Sequence, residues 1–179
     1  LRKAHPGNLN LLDRYPEAEV AFLMNANFSG NQIDNLTGAI KVESGYFMNR
    51  NGELSLGGIE LQSIASGLNN YLSFSSDYFD IDINGTYHFQ NIADAIEKSM
   101  YRYLPAIGKN HASAGRENKF GYQIDVKNLD DLTAVFTPGI NIETPFLLYG
   151  QMDSEQSVFE LKGSIPMFRT NDMMLRNIF

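Results

Sequence analysis

Apolar and polar residues alternate along residues 79–89, and this stretch is the clearest secondary-structure signal in the chain. Its odd positions are mostly apolar and its even positions are polar. Period-two alternation of aromatic and β-branched residues predicts a strand with one buried face. Just before this stretch, the apolar residues Leu72 and Phe74 stand at even positions instead of odd ones. The pattern therefore predicts a bulge or corner near residues 75–78 that returns both halves to one apolar face.

The same alternation recurs along most of the chain. It predicts further strands over residues 19–28, 36–48, 54–61, 68–74, 119–127, 140–152, 158–165 and 173–179. The pair Asn51-Gly52 predicts a two-residue hairpin turn. The pair Gly57-Gly58 lies where the apolar parity changes, and this predicts a bulge.

Helical periodicity is confined to short stretches. Apolar residues recur at helical spacing over residues 92–104, just before Pro105, and predict one short amphipathic helix. A single helical turn is predicted within residues 128–137. The predicted fold class is mainly β, with one short amphipathic helix near 92–104.

The form apolar-x-Gly-x-apolar occurs four times, centred on Gly38, Gly85, Gly150 and Gly163. A glycine in a strand gives up side-chain packing and lets the strand bend, which suits a strongly curved sheet. Four coincidental glycines are the other interpretation, and the pattern alone does not separate the two.

Composition describes a folded chain that is acidic. Of the 179 residues 43% are hydrophobic, and 14 basic against 21 acidic residues give a formal net charge of -7. This balance argues against nucleic acid as a partner, because phosphate binding needs clustered Lys and Arg. Cysteine is absent, which excludes a thiol nucleophile and a disulfide framework. No apolar run is long enough to span a bilayer.

No catalytic or metal-binding motif is found in the sequence. There is no glycine-rich phosphate loop and no serine in a nucleophile elbow. The three histidines are far apart in sequence, and the group Asp77, Asp80 and Asp82 has no companion loop to complete a calcium site. We therefore predict no enzymatic activity, no metal and no cofactor.

The predicted sheet presents more apolar surface than one short helix can cover. It can close as a β-sandwich with a dry core, or it can stay open as a trough whose lining faces an apolar ligand. The pattern alone favours the closed sandwich, because large exposed apolar patches are rare.

Two segments resemble the TamB family. The first is the run Phe28-Ser-Gly-x-x-Ile-Asp-Asn-Leu-Thr-Gly-Ala-Ile40. The second is Leu72-x-Phe-Ser-Ser-Asp-Tyr-Phe-Asp-x-Asp-Ile-x-Gly-x-Tyr-x-Phe89, with a helix ending in Tyr-Leu-Pro105. The downstream strand patterns through residue 165 also fit, so the resemblance covers roughly residues 22–179.

This resemblance implies a β-taco, a long antiparallel-rich sheet folded over an apolar groove. TamB proteins are inner-membrane-anchored, periplasm-spanning members of the translocation and assembly module, and they are grouped with AsmA-like lipid-transfer proteins. The chain is then expected to be periplasmic, as a piece of a longer anchored protein. Its expected partners are phospholipid acyl chains and, in the full-length protein, an outer-membrane barrel protein. One β domain is expected over residues 1–179, with a lead-in at 1–17 and a flexible loop at 109–118.

Parity selects the side chains expected to line the groove and contact lipid tails. These are Phe22, Met24, Ile40, Val42, Phe79, Ile81, Ile83, Tyr122, Ile124, Ile142, Phe146, Leu161 and Ile165. Ordinary core packing is the alternative role for each of them.

Two functions of different classes follow. The first is a segment of a bridge that carries phospholipid between the inner and outer membranes. The second is a structural scaffold for the assembly or secretion of outer-membrane β-barrel proteins and autotransporters. An open apolar groove favours the first, and a closed core favours the second.

Overall fold

The computed structural model describes residues 2–4, 17–67, 69–88, 117–156 and 158–179. Thirteen strands follow one another along this part of the chain. They are β1 (Arg2–Ala4), β2 (Glu19–Ser29), β3 (Thr37–Asn49), β4 (Gly52–Ser55), β5 (Ile59–Ile64), β6 (Asn70–Ser75), β7 (Phe79–Thr86), β8 (Lys119–Val126), β9 (Asn141–Ile142), β10 (Phe146–Asp153), β11 (Val158–Gly163), β12 (Ile165–Arg169) and β13 (Met174–Ile178). Helix α1 (Asp130–Phe136) lies between β8 and β9, and a 3-10 turn (Ile33–Asn35) precedes β3.

Ten strands form one antiparallel sheet in which chain neighbours are mostly sheet neighbours. Its order is β1-β2-β3-β5-β6-β7-β8-β10-β11, and β4 pairs with β3. The sheet is not closed into a barrel and is consistent with a curved, taco-like sheet, so the predicted fold class is confirmed. The helix predicted near 92–104 lies outside the described residues. The single turn predicted within 128–137 is helix α1.

A hairpin replaces the bulge or corner predicted near residues 75–78. Strand β6 ends at Ser75 and β7 begins at Phe79, and the two strands pair antiparallel. Ser76 Oγ donates to the Phe79 carbonyl at 2.8 Å and accepts the Tyr78 N–H at 3.2 Å, which fixes the turn. Leu72 lies opposite Ile83 in this pairing. Both strands therefore still present their apolar residues on one face, as predicted.

The parity change at Gly57-Gly58 is matched by one in the partner strand. Leu23 pairs with Ser44 and Met24 pairs with Val42, so Glu43 is an extra residue in β3. Strand β4 pairs with the part of β3 that follows Glu43, and β5 pairs with the part that precedes it. Because β3 and the β4–β5 segment both shift there, the apolar residues before and after remain on one face.

Two of the strands predicted near the C-terminal end are wrong in their extent. The strand predicted over 140–152 is two strands, β9 and β10, separated by a segment that contains Pro145, which has no N–H to donate to a ladder. The strand predicted over 158–165 ends at Gly163, and β12 begins at Ile165 in a second sheet. That sheet has the order β13-β12-β9.

Residues 2–4 and 17 of the predicted lead-in (1–17) and residues 117–118 of the predicted flexible loop (109–118) are described, and the rest of both segments lies outside the described residues. Residues 2–4 of the predicted lead-in pair with Val20–Phe22 as strand β1. Asn118, which was assigned to the flexible loop, is buried. It accepts the His88 N–H at Oδ1 (2.8 Å), and its own N–H donates to Ser154 Oγ (2.8 Å).

Candidate functional site

One face of the ten-stranded sheet is uncharged and mainly apolar from β2 to β11. Residues directly opposite one another in an antiparallel ladder share a face. Successive pairings place one residue from each of eight strands in a continuous line: Ala26, Ile40, Leu61, Phe74, Ile81, Ile124, Leu148 and Gly163. We call this side of the sheet the inner face, and the six large residues from Ile40 to Leu148 the middle row.

The neighbouring positions of the inner face are also uncharged. On one side of the middle row lie Phe28, Gly38, Ser63, Leu72, Ile83, Tyr122, Gly150 and Leu161, and on the other lie Phe79, Val126 and Phe146. The opposite side, which we call the outer face, carries the charged residues of the same strands, among them Lys41, Glu60, Asp80, Asp125 and Lys162.

Eleven of the thirteen residues expected to line a groove lie on the inner face. They are Phe22, Met24, Ile40, Val42, Phe79, Ile81, Ile83, Tyr122, Ile124, Phe146 and Leu161. Ile142 and Ile165 lie in the second sheet instead. Ile142 pairs with Phe168, three residues along β12 from Ile165, so these two isoleucines point to opposite faces.

The prediction missed several apolar residues of the inner face, among them Leu61, Leu72, Phe74 and Leu148. Each has an apolar neighbour two positions away in its own strand, so the alternation held the signal. Their place beside the other residues depends on strand register, which alternation within a single strand does not determine.

The four glycines of the apolar-x-Gly-x-apolar form all lie on the inner face, where a neighbouring strand approaches closely. At Gly85, with φ +139°, an added Cβ would lie 2.4 Å from the Lys119 carbonyl oxygen and 2.7 Å from Phe120 Cα. At Gly150 it would lie 2.8 Å from the hydroxyl oxygen of Tyr122. These glycines are therefore required by close approach of neighbouring groups, as the curved-sheet interpretation expects.

Helix α1 closes the inner face at the β4 end. Val135 packs with Ala18, Phe47, Leu54 and Tyr78 in a buried group that we call the α1 cluster. The ring of Phe136 lies 5.1 Å from that of Phe47. The amides of Asn49 and Asn51 both donate to the Val135 carbonyl, at 3.0 and 2.9 Å. These contacts hold the helix against the sheet.

A second buried group closes the inner face at the opposite ends of β7, β8 and β10. It consists of Tyr87, Phe120 and Met152, and we call it the Tyr87 cluster. Burial raises the pKa of Tyr87 to about 12, although a hydrogen bond with Ser63 acts in the other direction. The Tyr87 hydroxyl is therefore held in its neutral form.

Tyr122 links this cluster to β11. Its ring stacks on Phe159 with centroids 6.1 Å apart, and its hydroxyl donates to the Glu160 carbonyl at 2.8 Å across Gly150. Burial, followed by the nearby Glu160 carboxylate, raises the pKa of Tyr122. The ring therefore takes the place that a side chain at position 150 would occupy.

The middle row lies between the two clusters and is only half-buried. None of its six residues reaches the burial of Leu54 or Phe120. In the outer strands, near the two edges of the sheet, the inner face is more open still: Met24 in β2 is 47% exposed and Leu161 in β11 is 53% exposed. The described part of the chain thus leaves an accessible apolar strip between two closed ends.

The outer face carries paired charged and polar groups, together with exposed apolar side chains such as Leu23, Leu147 and Tyr149. Desolvation acts to raise the pKa of Asp80, but Lys127 Nζ at 2.7 Å and Ser75 Oγ at 2.8 Å outweigh it and hold that pKa below its usual value. The Tyr71 hydroxyl donates to Asp82 Oδ1 at 2.6 Å. Two of the three aspartates considered for a calcium site therefore already have protein partners.

The described residues bring together no catalytic or metal-binding constellation. No group of three or more His, Asp or Glu side chains there is placed to hold a metal ion. His88 is the one histidine within the described ranges, and its Nδ1 lies 3.4 Å from Asp34 Oδ2. Helices that combine the length and apolar character needed to span a membrane are also not found there.

Comparison of the chain with protein-family models, with curated proteins and with solved structures finds no match.

Proposed function

We propose that this chain is a lipid-binding segment of a TamB-like, periplasm-spanning protein, and that phospholipid acyl chains lie along its inner face. The observation that carries the proposal is the accessible middle row. Six large apolar side chains from six neighbouring strands form one line and stay half-buried. A contiguous row of partly exposed apolar side chains is a feature of ligand-binding grooves.

The dimensions and chemistry of the inner face support an acyl chain as the ligand. Eight strands spaced about 4.8 Å apart make a line of roughly 34 Å. An acyl chain spans about half of the roughly 30 Å hydrocarbon core of a bilayer, so it fits along this line. Among the described residues of strands β2 to β11, none on the inner face is charged, and an acyl chain needs only an apolar wall.

The four strand glycines also support the proposal. They let neighbouring strands approach where the sheet curves, and a curved sheet with an apolar inner face provides a trough rather than a flat surface. The resemblance to the TamB family in residues 28–40 and 72–89 supplies the biological setting: transport of phospholipid between inner and outer membranes, in the periplasm.

Mass spectrometry of co-purifying lipid tests this function with a matched pair of variants. Ile124 and Gln123 are neighbours in β8, one on the inner and one on the outer face. We expect phospholipid to accompany the wild type and Gln123→Asp, and to be lost from Ile124→Asp, because a carboxylate in the middle row must be desolvated by the acyl chain. Equal lipid content in both variants, with circular dichroism unchanged, would contradict the proposal.

A second candidate, a scaffold for outer-membrane β-barrel proteins, is favoured by strand β13. Met174 and Leu175 lie on opposite faces of this strand and are 48% and 44% exposed. Strand β13 pairs with β12 on one side, and no partner on its other side is found among the described residues. Such an edge can accept an extended chain. Binding of unfolded barrel strands that is lost in Leu175→Asp, without any co-purifying lipid, would favour this candidate over the first.

A further inference from the structure

A hollow of about 400 Å³ lies where β7, β8, β10 and β11 meet, on the outer face of the sheet. Its polar lining residues lie on the outer face, although Phe120 and Met152 of the Tyr87 cluster also border it, so its role does not depend on the middle row. Gly121 forms its floor, directly opposite Asn84 on one side and Gln151 on the other. Its volume is within the range of roughly 300–1,000 Å³ typical of small-molecule sites.

Gly121 is not required by the protein's own packing. A Cβ added there would meet a single heavy atom within 4 Å, the Gly150 carbonyl oxygen at 3.8 Å. This differs from Gly85 and Gly150, where close neighbours leave no room. A glycine in a strand at a position with room for a side chain is typical of a place where a ligand approaches the backbone.

The walls of the hollow combine the apolar residues Phe120, Met152 and Val158 with polar groups, of which two are held by contacts within the protein. Asp153 is 9% exposed, accepts the Gln156 N–H at 2.9 Å and lies 3.1 Å from Lys119 Nζ. Gln151 Nε2 donates to Glu160 at 2.8 Å. The carboxylate of Asp153 is thus fixed in place, and its charge is balanced by Lys119.

Two carboxamides complete the walls. The side chains of Asn84 and Gln156 line the hollow, and neither has a hydrogen-bond partner within the described part of the chain. A carboxamide offers both donors and an acceptor. The hollow therefore presents donors and acceptors together, with no excess charge between Lys119 and Asp153.

We propose that this hollow binds a neutral saccharide the size of a mono- or disaccharide. A sugar hydroxyl both donates and accepts, so adjacent hydroxyls can pair with a carboxamide and with the fixed carboxylate at the same time. The glycine floor allows the ring to approach the strand backbone. A strongly anionic ligand is disfavoured because Asp153 already pairs with the single cation of the walls.

Titration of the whole chain with maltose, lactose and chitobiose, followed by ¹H–¹⁵N NMR, tests the proposal. We expect saturable shifts centred on the Gly121 and Gln151 amides with at least one of these sugars. Gly121→Val places a branched side chain on the floor of the hollow, where its Cβ would meet only the Gly150 carbonyl oxygen at 3.8 Å, and should abolish the shifts. Gln123→Val, two residues along on the same face, should keep them.

Gln156→Ala supplies a second variant that leaves the sheet ladder intact, and it should weaken binding at least tenfold. Three outcomes would overturn the proposal: shifts with none of the three sugars, shifts that persist in folded Gly121→Val, or shifts with inorganic phosphate alone. Because no variant here touches the inner face, a negative result leaves the lipid proposal standing.

Discussion

The inner face of the sheet is closed at two ends and open in its middle, although the same kinds of residue line all three regions. Leu54 is 4% exposed in the α1 cluster, whereas Leu61, in the next strand that pairs with β3, is half-buried in the middle row. The difference comes from what covers them. Helix α1 packs over the first, and no described element buries the second to the same extent.

This comparison shows that stability and binding are served by different parts of one surface. Full burial of a leucine contributes about 1.5–3 kcal/mol relative to exposure. The closed ends obtain that contribution in the free protein. The middle row obtains only part of it, and the remainder is available to a ligand that covers it.

The largest expected effect is at the closed end. Leu54→Ala removes a fully buried side chain from the α1 cluster and should lower the free energy of unfolding by about 3 kcal/mol, because a cavity remains. Urea denaturation monitored by circular dichroism measures this. A loss below about 1 kcal/mol, which is typical of exposed sites, would show that helix α1 does not close this end in solution.

The Tyr87 cluster should make the fold sensitive to alkaline pH. The folded state raises the Tyr87 pKa from 10.0 to about 12. The stabilisation is therefore complete below pH 10 and is lost as pH rises towards 12. The loss should reach about 2–3 kcal/mol if the shift is fully expressed.

Comparison of the wild type with Tyr87→Phe separates this effect from general alkaline denaturation. Unfolding free energies measured at several pH values between 9 and 12 should fall less steeply in the variant. Parallel curves for the two proteins would contradict the burial of this hydroxyl.

The curvature of the sheet can be tested at its glycines. Gly85→Ala places a methyl group against the backbone of β8 at positive φ, and it should cost about 2 kcal/mol. Gly121→Ala, in the adjacent strand, has room for the methyl and should change stability by less than about 0.5 kcal/mol. Thermal unfolding of the pair measures the contrast, and equal losses would mean that close strand approach is not what requires Gly85.

In the middle row the expected loss of stability is smaller than at the closed end. Leu61→Ala should lower the free energy of unfolding by only about 1 kcal/mol, because the side chain is already part-exposed. The same variant should weaken lipid binding, since the lost contacts are those that a ligand would complete. A stability loss as large as that of Leu54→Ala would mean that the middle row is ordinary closed core.

Alternation predicted the strands and their apolar faces well, because a half-buried strand has a period of two. Strands β2, β7 and β8 lie within a few residues of their predicted bounds. The pattern predicts a bulge or corner near residues 75–78 where the structure has a hairpin turn, because a parity change is compatible with a bulge, a corner or a reversal of the chain. Pairing across β6 and β7 then restores the face that the pattern indicated.

Long-range features were beyond the reach of the pattern. Ile142 and Ile165 alternate as the other lining residues do, yet they belong to a second sheet. The strand pattern is interrupted at Pro145, after Ile142, and at Ser164, before Ile165. Phe74 and Leu148 join the middle row only through register. Whether apolar residues are covered depends on elements distant in sequence, such as helix α1 over Leu54, and local alternation carries no information on these contacts.

A single introduced tryptophan tests the central claim most directly, because the chain contains none. Ile124→Trp places the indole in the middle row, and Gln123→Trp places it on the outer face of the same strand. Both proteins would be titrated with phospholipid that carries brominated acyl chains, which quench tryptophan fluorescence on contact. The account predicts strong quenching in Ile124→Trp and little in Gln123→Trp. Equal quenching in the two, or none in a folded Ile124→Trp, would contradict an acyl-chain site on the inner face.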